Sequence, residues 1–425
     1  MPVIASAGTI RHTTQELAHG PALVVGRKGG VGRVQLINGP FWPTDTTYYI
    51  SMPEALSAEF LYYQISSLGL ERLDRSTAVP SLQRQDLEST SLCIAPRAEQ
   101  ERIVAAIEEQ LSRIDAGISA IDAVRQNLKR IRAAVLQAAV TGELVSQDRS
   151  ATATKQLVEQ LRHEVQTQGK RKTAVPAIQY LPSIPDSWQV VALADLAESI
   201  DYGTSEKTHA DAKGIPILRM GNLGWGTIAY HGLKFLPRER LDHRLLLKDG
   251  DLLFNRTNSA ELVGKTAVFH GYPEDIAFAS YLIRVRPLPS ADLDWANIVL
   301  NSAIGRRYVA SVRNQQVGQA NVNGTKLAGA PIPLPSPEEQ SQIIAECERL
   351  FSVIDVMEHA TAVATSRSAR LRSSVLSTAF AGELVAQDAN DEPASALLAR
   401  IAAERASSNS HQLTRVRKLG KKVTV

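Results

Sequence analysis

The run from Ser259 to Thr266, Ser-Ala-Glu-Leu-Val-Gly-Lys-Thr, differs at one position from the glycine-rich loop that wraps nucleotide phosphates in backbone N–H groups. Ser259 stands where that loop needs its first glycine, and a side chain there blocks the tight cradle, so no nucleotide site is expected. His209 and His231, like His243 and His270, lack a second histidine or carboxylate at metal-ligand spacing and read as solvated or core histidines. Asp249 and Asp251 flank Gly250 in a Lys-Asp-Gly-Asp run that turn chemistry explains better than acid–base chemistry. The sequence contains neither a Gly-x-Ser-x-Gly nucleophile elbow nor an Asn-Pro-Pro-aromatic tetrapeptide for holding a flipped adenine. The chain is therefore expected to have no catalytic centre, no metal and no cofactor of its own.

What remains are polar loops rich in Arg, Lys, Asn, Gln and Tyr, the side chains that clamp phosphates and form paired hydrogen bonds with base edges. The candidates are Tyr202, Thr204 and Lys207, then Arg219 with Asn222, Arg256 with Asn258 and Lys265, Gln319 with Asn321, and, near the start of the chain, Arg27 and Lys28. Taken singly, each residue fits a solvated loop equally well.

The elements that must position these loops emerge from an internal repeat. Sliding the chain by 240 residues superposes Glu99–Asp148 on Glu339–Asp388 without a gap, with roughly 20 of 50 positions identical. The anchors are Glu99-Gln100 with Glu339-Gln340, Ile114-Asp115 with Ile354-Asp355, and Gly142-Glu143-Leu144-Val145 with Gly382-Glu383-Leu384-Val385. The first copy carries Ile107, Leu111, Ile114, Ile118, Ile121, Leu128 and Val135 at steps of three and four, the seam of a long amphipathic helix. In the second copy the expected seam is Phe351, Ile354, Ala360, Ala364, Leu371 and Val375. Two such helices pack most simply on each other, antiparallel, and about 40 helical residues span about 60 Å. Periodicity alone fits a rigid spacer and a helical-bundle core equally.

Between the helical copies, Tyr180–Pro335 alternates short β-rich runs with Gly and Pro turns, which predicts a mixed globular domain behind a Pro-containing linker near 170–187. Val25-Gly26-Arg27 through Tyr49 resembles Phe254-Asn255-Arg256 through Tyr281, so a second such domain precedes the first helix. On this register it is incomplete, lacking a counterpart of Ser187 to about Lys234. The expected domains are 1–96, 97–170 (helix and linker), 180–335, 336–408 (second helical region) and a basic tail, 409–425, with Arg415, Arg417, Lys418, Lys421 and Lys422.

Length and composition are consistent with several globular units: 425 residues, 44% hydrophobic and 21% charged. A net charge of +3 does not by itself announce a nucleic-acid binder. Cys93 and Cys347, the two cysteines, exclude a disulfide framework and read as reduced core thiols. Met1–Ala22 is too polar for a secretory signal or a membrane span, so a cytoplasmic protein without a membrane partner is expected.

Taken in order, the motifs resemble the specificity subunits of type I restriction-modification enzymes over nearly the whole chain. The resemblance rests on Pro185-Asp-Ser-Trp188, Ile200-Asp-Tyr-Gly203-Thr204, Pro216-Ile-Leu-Arg219-Met-Gly-Asn222, the Gly250–Phe254 strand, Val263-Gly-Lys265, and the closure Pro331–Pro335 into Glu339-Gln340. In the first copy Pro40–Tyr49, Val79–Leu82 and Pro96 into Glu99-Gln100 carry it. It implies an α+β fold: two α/β target-recognition domains, the first incomplete, separated by two long antiparallel helices that form a coiled-coil spacer. It also implies a non-catalytic subunit that reads an asymmetric bipartite site on double-stranded DNA and binds two modification (methyltransferase) subunits and restriction (translocase/nuclease) subunits. S-adenosylmethionine, ATP and Mg would then sit on those partners. The alternatives are a truncated scaffold that has lost bipartite reading, or an unrecognised enzyme.

Overall fold

The computed structural model describes residues 1–53, 55–74, 79–147, 150–167, 177, 179, 181–211, 213–316, 318–404 and 406. The expected basic tail, 409–425, and the 170–176 part of the linker lie outside these residues. The chain forms two compact units: unit 1 is Met1–Ala123 with Thr361–Val425, and unit 2 is Val124–Ala360. No helix among the described residues is long and apolar enough to cross a membrane.

In unit 1 the strands are β1 (Pro2–Ala5), β2 (Gly8–His12), β3 (Ala18–His19), β4 (Ala22–Gly26), β5 (Val34–Ile37), β6 (Pro40–Pro43) and β7 (Thr47–Ser51). Helices α1 (Ala58–Ser67) and α2 (Arg84–Glu88) follow, and then α3 (Arg97–Thr141), whose second half belongs to unit 2. In unit 2 come α4 (Ala151–Thr167), β8 (Gln189–Ala192), β9 (Ala197–Tyr202), β10 (Ile215–Leu218), β11 (Lys234–Leu236), β12 (Leu252–Asn255), β13 (Thr257–Asn258), β14 (Thr266–Val268), β15 (Ala277–Phe278) and β16 (Leu282–Pro287). After these come α5 (Leu293–Asn301), α6 (Ala303–Val312), β17 (Asn314–Gln316), β18 (Gln319–Asn321), α7 (Gly324–Ala328) and β19 (Pro331–Leu334). Finally α8 (Pro337–Phe380) starts in unit 2 and ends in unit 1, which also holds a helix over 394–404.

The apolar run of β4 makes it the middle strand of β5-β4-β7, buried along its whole length. Leu23 and Val25 pack on Phe60, Leu61 and Ile65 of α1, and the same core takes in Ile103 and Ile107 of α3 and Ala379 of α8. The helices run antiparallel here, since Ile103 and Ile107 meet the C-terminal end of α8 while Asp115, further along α3, pairs with Arg372. Leu111, Ile114, Ile118 and Ile121 are half-buried, as the seam expects. Leu371 departs from it and is 45% exposed. The observed stripe on α8 runs Thr361, Thr365, Ser368, Arg372, Val375, Ala379, which places Leu371 one residue, about 100° of helix, off the packed line.

Unit 2 repeats the plan with more cover. β12, also fully buried, lies between β14 and β16, and β16 is paired on its other side by β9. Trp188 and Trp295 meet edge to face at 5.6 Å inside a core that includes Val135 and Ala139 of α3, Leu157 and Leu161 of α4, and Ile343 and Cys347 of α8. Each large apolar side chain buried this way contributes about 1.5 to 3 kcal/mol. Leu128 and Ile354 are buried, whereas Ala360, expected on the seam, is exposed and the stripe passes through Ile354. Burial pushes the Cys347 thiol up to about 12. Cys93, expected in a core, is exposed because the 91–95 segment of unit 1 joins no sheet.

The repeat anchors have local physical jobs. Gln100 Nε2 donates to the Ala95 carbonyl at 2.8 Å and Gln340 Nε2 to the Pro335 carbonyl at 3.0 Å, so each buried glutamine ties the first turn of its helix to the incoming chain. Glu339 accepts the indole N–H of Trp188 at 3.1 Å. At the other end, Gly142 (φ 75°) and Gly382 (φ 78°) close their helices with the same pair of bonds. Glu143 N donates to Ala138 O and Glu383 N to Thr378 O, while each glycine N–H donates to the carbonyl three residues back. The two copies also share an ion pair: Arg132–Asp355 in unit 2 and Arg372–Asp115 in unit 1, the arginines being 240 residues apart and the aspartates likewise.

The globular parts match further than their sequences indicate. Parallel β1–β6 with antiparallel β2 has the same pairing as parallel β10–β15 with antiparallel β11. The counterpart of Ile215–Lys234 is therefore present at Pro2–His12, contrary to the sequence-based register, which the different loop lengths had shifted. What unit 1 lacks among its described residues is a counterpart of β8 and β9.

Candidate nucleic-acid interface

The end of β12 sets the candidate site of unit 2. Asn255 is the last buried strand residue, and Arg256 then turns out to the edge formed by β13, β18 and β17. Its backbone N–H donates to Tyr281 O at 3.0 Å and its carbonyl accepts from Val322 N at 2.9 Å, fixing the residue on both sides. The guanidinium lies over the Tyr202 ring at 4.9 Å and donates to Ser280 O at 3.3 Å and Asn321 Oδ1 at 3.4 Å, both long bonds. Its Nε finds no partner among the described residues. A held but weakly satisfied guanidinium of this kind suits a paired acceptor such as a guanine edge or a phosphate.

Around it, Tyr202 is 44% exposed and fixed by its hydroxyl, which accepts the Gly324 N–H at 2.7 Å. Asn321 Nδ2 donates to Thr257 Oγ1 at 2.8 Å, and Gln319 and Lys207 are exposed nearby in sequence. Thr204 is stitched to the strand before β16, its N–H to Phe278 O and its carbonyl to Ser280 N. Asn258 turns its Oδ1 onto Ser259 N, closing the following turn.

The remaining candidates fall elsewhere. Asn222 is 4% exposed and spends its amide inside its own loop, on Ala229 O, His231 O and Arg219 N. Arg219 reaches Gly232 O at 3.3 Å, beside that loop. Lys265 lies 5.9 Å over Trp225, whose ring Arg306 covers at 4.0 Å; Trp225 and Arg306 were not picked out from sequence, since 81 residues separate them and no spacing rule joins them. The stretch from Ser259 leads Lys265 into strand β14 and not into a helix, so a phosphate-loop cradle does not form. Gly264 (φ 91°) makes that turn, where a Cβ would meet Val309 at 2.9 Å.

Two titratable groups gain partners that sequence spacing hid. His270 bonds Asp294 at 3.1 Å and Asp249 at 3.3 Å. Burial lowers its pKa, but the two carboxylates outweigh this and hold it above the usual histidine value. Asp251 is fully buried, caps Lys248 N and pairs with Arg286 at 2.7 Å. Next to it, Arg284 stacks on Phe278 and pairs with Asp201 at 2.6 Å. Burial raises the Asp201 carboxyl, and the bonds from Ser199 and Arg284 more than reverse it, leaving it below the ordinary range. Among the described residues no cluster of His, Cys, Asp and Glu is arranged to hold a metal ion.

Unit 1 presents the same frame. Arg27 follows β4 as Arg256 follows β12; its N–H donates to Thr46 O and its carbonyl accepts from Leu82 N, both at 2.8 Å. Its guanidinium lies 5.6 Å over Tyr48, Lys28 is exposed and bridges Ser81, and the exposed Arg33 stands where Lys265 stands in unit 2.

Comparison with known proteins places this arrangement. The sequence profile of the type I restriction modification DNA specificity domain matches residues 2–124 and 185–364, one stretch through each globular part. The specificity subunit of the type I restriction enzyme EcoKI of Escherichia coli K12 is 27% identical over 379 residues, 85% of this chain and 75% of that one. That of EcoBI, from Escherichia coli, is 28% identical over 357 residues, 80% and 70% of the two chains. A chain from a solved type I R-M structure concerned with complex assembly and conformational transition shares the fold at a TM-score of 0.58 and 17% identity, over 90% of this chain and 91% of its own. With both stretches of the profile matched, this chain belongs to the family of type I restriction-modification DNA specificity subunits.

Proposed function

We propose that the chain reads an asymmetric bipartite DNA site, one half through the Arg256 edge of unit 2 and the other through the Arg27–Lys28 edge of unit 1. On this reading α3 and α8 set the separation of the half-sites and dock two modification subunits, to which restriction subunits add. The chain itself performs no catalysis. S-adenosylmethionine, ATP and Mg belong to the partners.

The observation that carries the proposal is the repeated frame: an arginine at the end of a buried central strand, held by backbone bonds on both sides and stacked on a tyrosine, in each unit. Half-sites about one helical turn apart lie on one face of a duplex, which suits two edges carried on one chain. Titration of a fluorescent duplex carrying the recognised sequence with the complex of this chain and its modification subunits tests the reading. Arg256→Ala should weaken binding by about 1 to 3 kcal/mol, most against the cognate sequence. An equal loss on cognate and random duplex would reduce Arg256 to a phosphate contact.

The looser stacking of Arg27 on Tyr48, 5.6 Å against 4.9 Å for Arg256 on Tyr202, favours a second reading, a scaffold that holds modification subunits but reads one half-site alone. In that case Arg27→Ala would leave cognate affinity unchanged while Arg256→Ala lowers it.

A further inference from the structure

In both units the arginine at the end of the central strand rests on a turn, and matched hydrogen bonds fix which turn residues correspond. Thr47 N donates to Thr44 O at 3.1 Å, and Leu282 N to Ala279 O at 2.9 Å. Arg27 N–H donates to Thr46 O and Arg256 N–H to Tyr281 O, while each guanidinium reaches the carbonyl one residue earlier, Asp45 O at 3.4 Å and Ser280 O at 3.3 Å. The turns 44–47 and 279–282 are therefore equivalent residue by residue, and Asp45 stands where unit 2 has Ser280.

The surroundings of Asp45 are basic. It is the sole carboxylate between Glu16 and Glu54, a stretch that carries Arg27, Lys28 and Arg33. It is exposed, and among the described residues its carboxylate pairs with no cation, Arg27 bonding the Asp45 carbonyl instead. Nor does that carboxylate close the turn: Thr46 Oγ1 meets Thr44 Oγ1 at 2.7 Å and accepts from Ser6 N at 3.4 Å, and Thr47 Oγ1 donates to Thr44 O at 2.9 Å. An unpaired carboxylate on an otherwise basic edge lowers affinity for any polyanion unless it accepts a hydrogen bond from a base. Of the four bases, cytosine alone presents a donor and no acceptor in the major groove.

We infer that Asp45 is a specificity-determining residue of unit 1: its carboxylate accepts from the N4 amino group of a cytosine and repels the acceptor edges of guanine and thymine. The assignment rests on the reading in which the Arg27 edge meets DNA. Because the Arg27 guanidinium touches the Asp45 carbonyl and base pairs stack about 3.4 Å apart, the cytosine lies at the position Arg27 reads or next to it. Ser280 carries no charge, so the two halves of the site differ at this place.

The test is methylome sequencing of cells that express the chain with its modification subunits, in native, Arg27→Ala, Asp45→Asn and Asp45→Ser forms, together with duplex titration of each complex. Expected is a cytosine at or beside the position that Arg27→Ala relaxes. Both Asp45 variants should lose that requirement and keep the other positions of the half, with the preference for cytosine over thymine falling about tenfold. Asp45→Asn, near-isosteric at an exposed site, should keep the native melting temperature, and Asp45→Ser gives unit 1 the residue that unit 2 carries. A motif unchanged in both Asp45 variants while Arg27→Ala still relaxes its half overturns the Asp45 assignment alone, as does the absence of a G·C pair at those positions. Tighter binding of both variants to cognate and random duplex alike, with the motif intact, overturns it too and marks a carboxylate that only repels phosphate. A motif that Arg27→Ala also leaves unchanged overturns the reading on which the assignment rests.

Discussion

Arg256 illustrates what a single residue can reveal. Its type and place after a Gly-Asp-Leu-Leu strand marked it as a candidate reader, and the structure adds the Tyr202 ring beneath it and two long bonds that hold it without satisfying it. Arg256→Lys should therefore behave much like Arg256→Ala in cognate discrimination, because an ammonium cannot make the paired contact; full retention of discrimination by the lysine variant would contradict this. Asn222 shows the limit of residue type as a signal, since an amide suited to an adenine edge is equally suited to closing its own loop, and burial decides between them. His270 offers a pH prediction. Its pKa is raised in the fold, so its contribution to stability is present below the ordinary histidine value and is lost as pH rises through the raised one. The melting-temperature advantage of the native chain over His270→Gln should shrink between about pH 6 and about pH 9; an advantage that grows over that range would contradict the assignment.

Among the elements, the two long helices were the most legible from sequence, because their repeat fixes both ends: a buried Glu-Gln pair at the start and a left-handed glycine at the finish. Gly142→Ala should destabilise unit 2 by at least about 1 to 2 kcal/mol, since alanine pays for the left-handed conformation and its Cβ would also approach Pro185 at 2.6 Å and Gln147 at 2.7 Å. Denaturant unfolding checks this, and an unchanged midpoint would mean the cap is not needed. The same change at Gly382 meets no atom closer than 3.6 Å, so it should cost only the conformational part. Leu371 was misplaced on the seam because apolar type was followed where the packed stripe uses Ser368 and Arg372, and small or charged residues leave no hydrophobic signal. The β-register of the first globular part was also hidden. Its strands are two to five residues long, and loops of different length broke the constant offset that exposed the helices.

For the whole molecule, sequence, fold and family agree on a duplicated DNA specificity subunit. Each unit combines one globular part with segments of both long helices; unit 2 is one continuous stretch cut through the middle of both helices, but unit 1 joins two separate stretches, so no boundary rule applied along the chain could have drawn it. The order of motifs made the family legible; the partners and the DNA sequence read were not, because they depend on surfaces whose residue types also suit plain solvent exposure. The central claim is that both Arg-bearing edges read DNA and so define one split site. Its most direct test is methylome sequencing of cells that express this chain with its modification subunits, alongside the Arg27→Ala and Arg256→Ala forms. The account predicts one bipartite methylated motif, with each variant relaxing or losing a different half. A stable complex that yields no bipartite motif, or two variants that affect the same half, would contradict it.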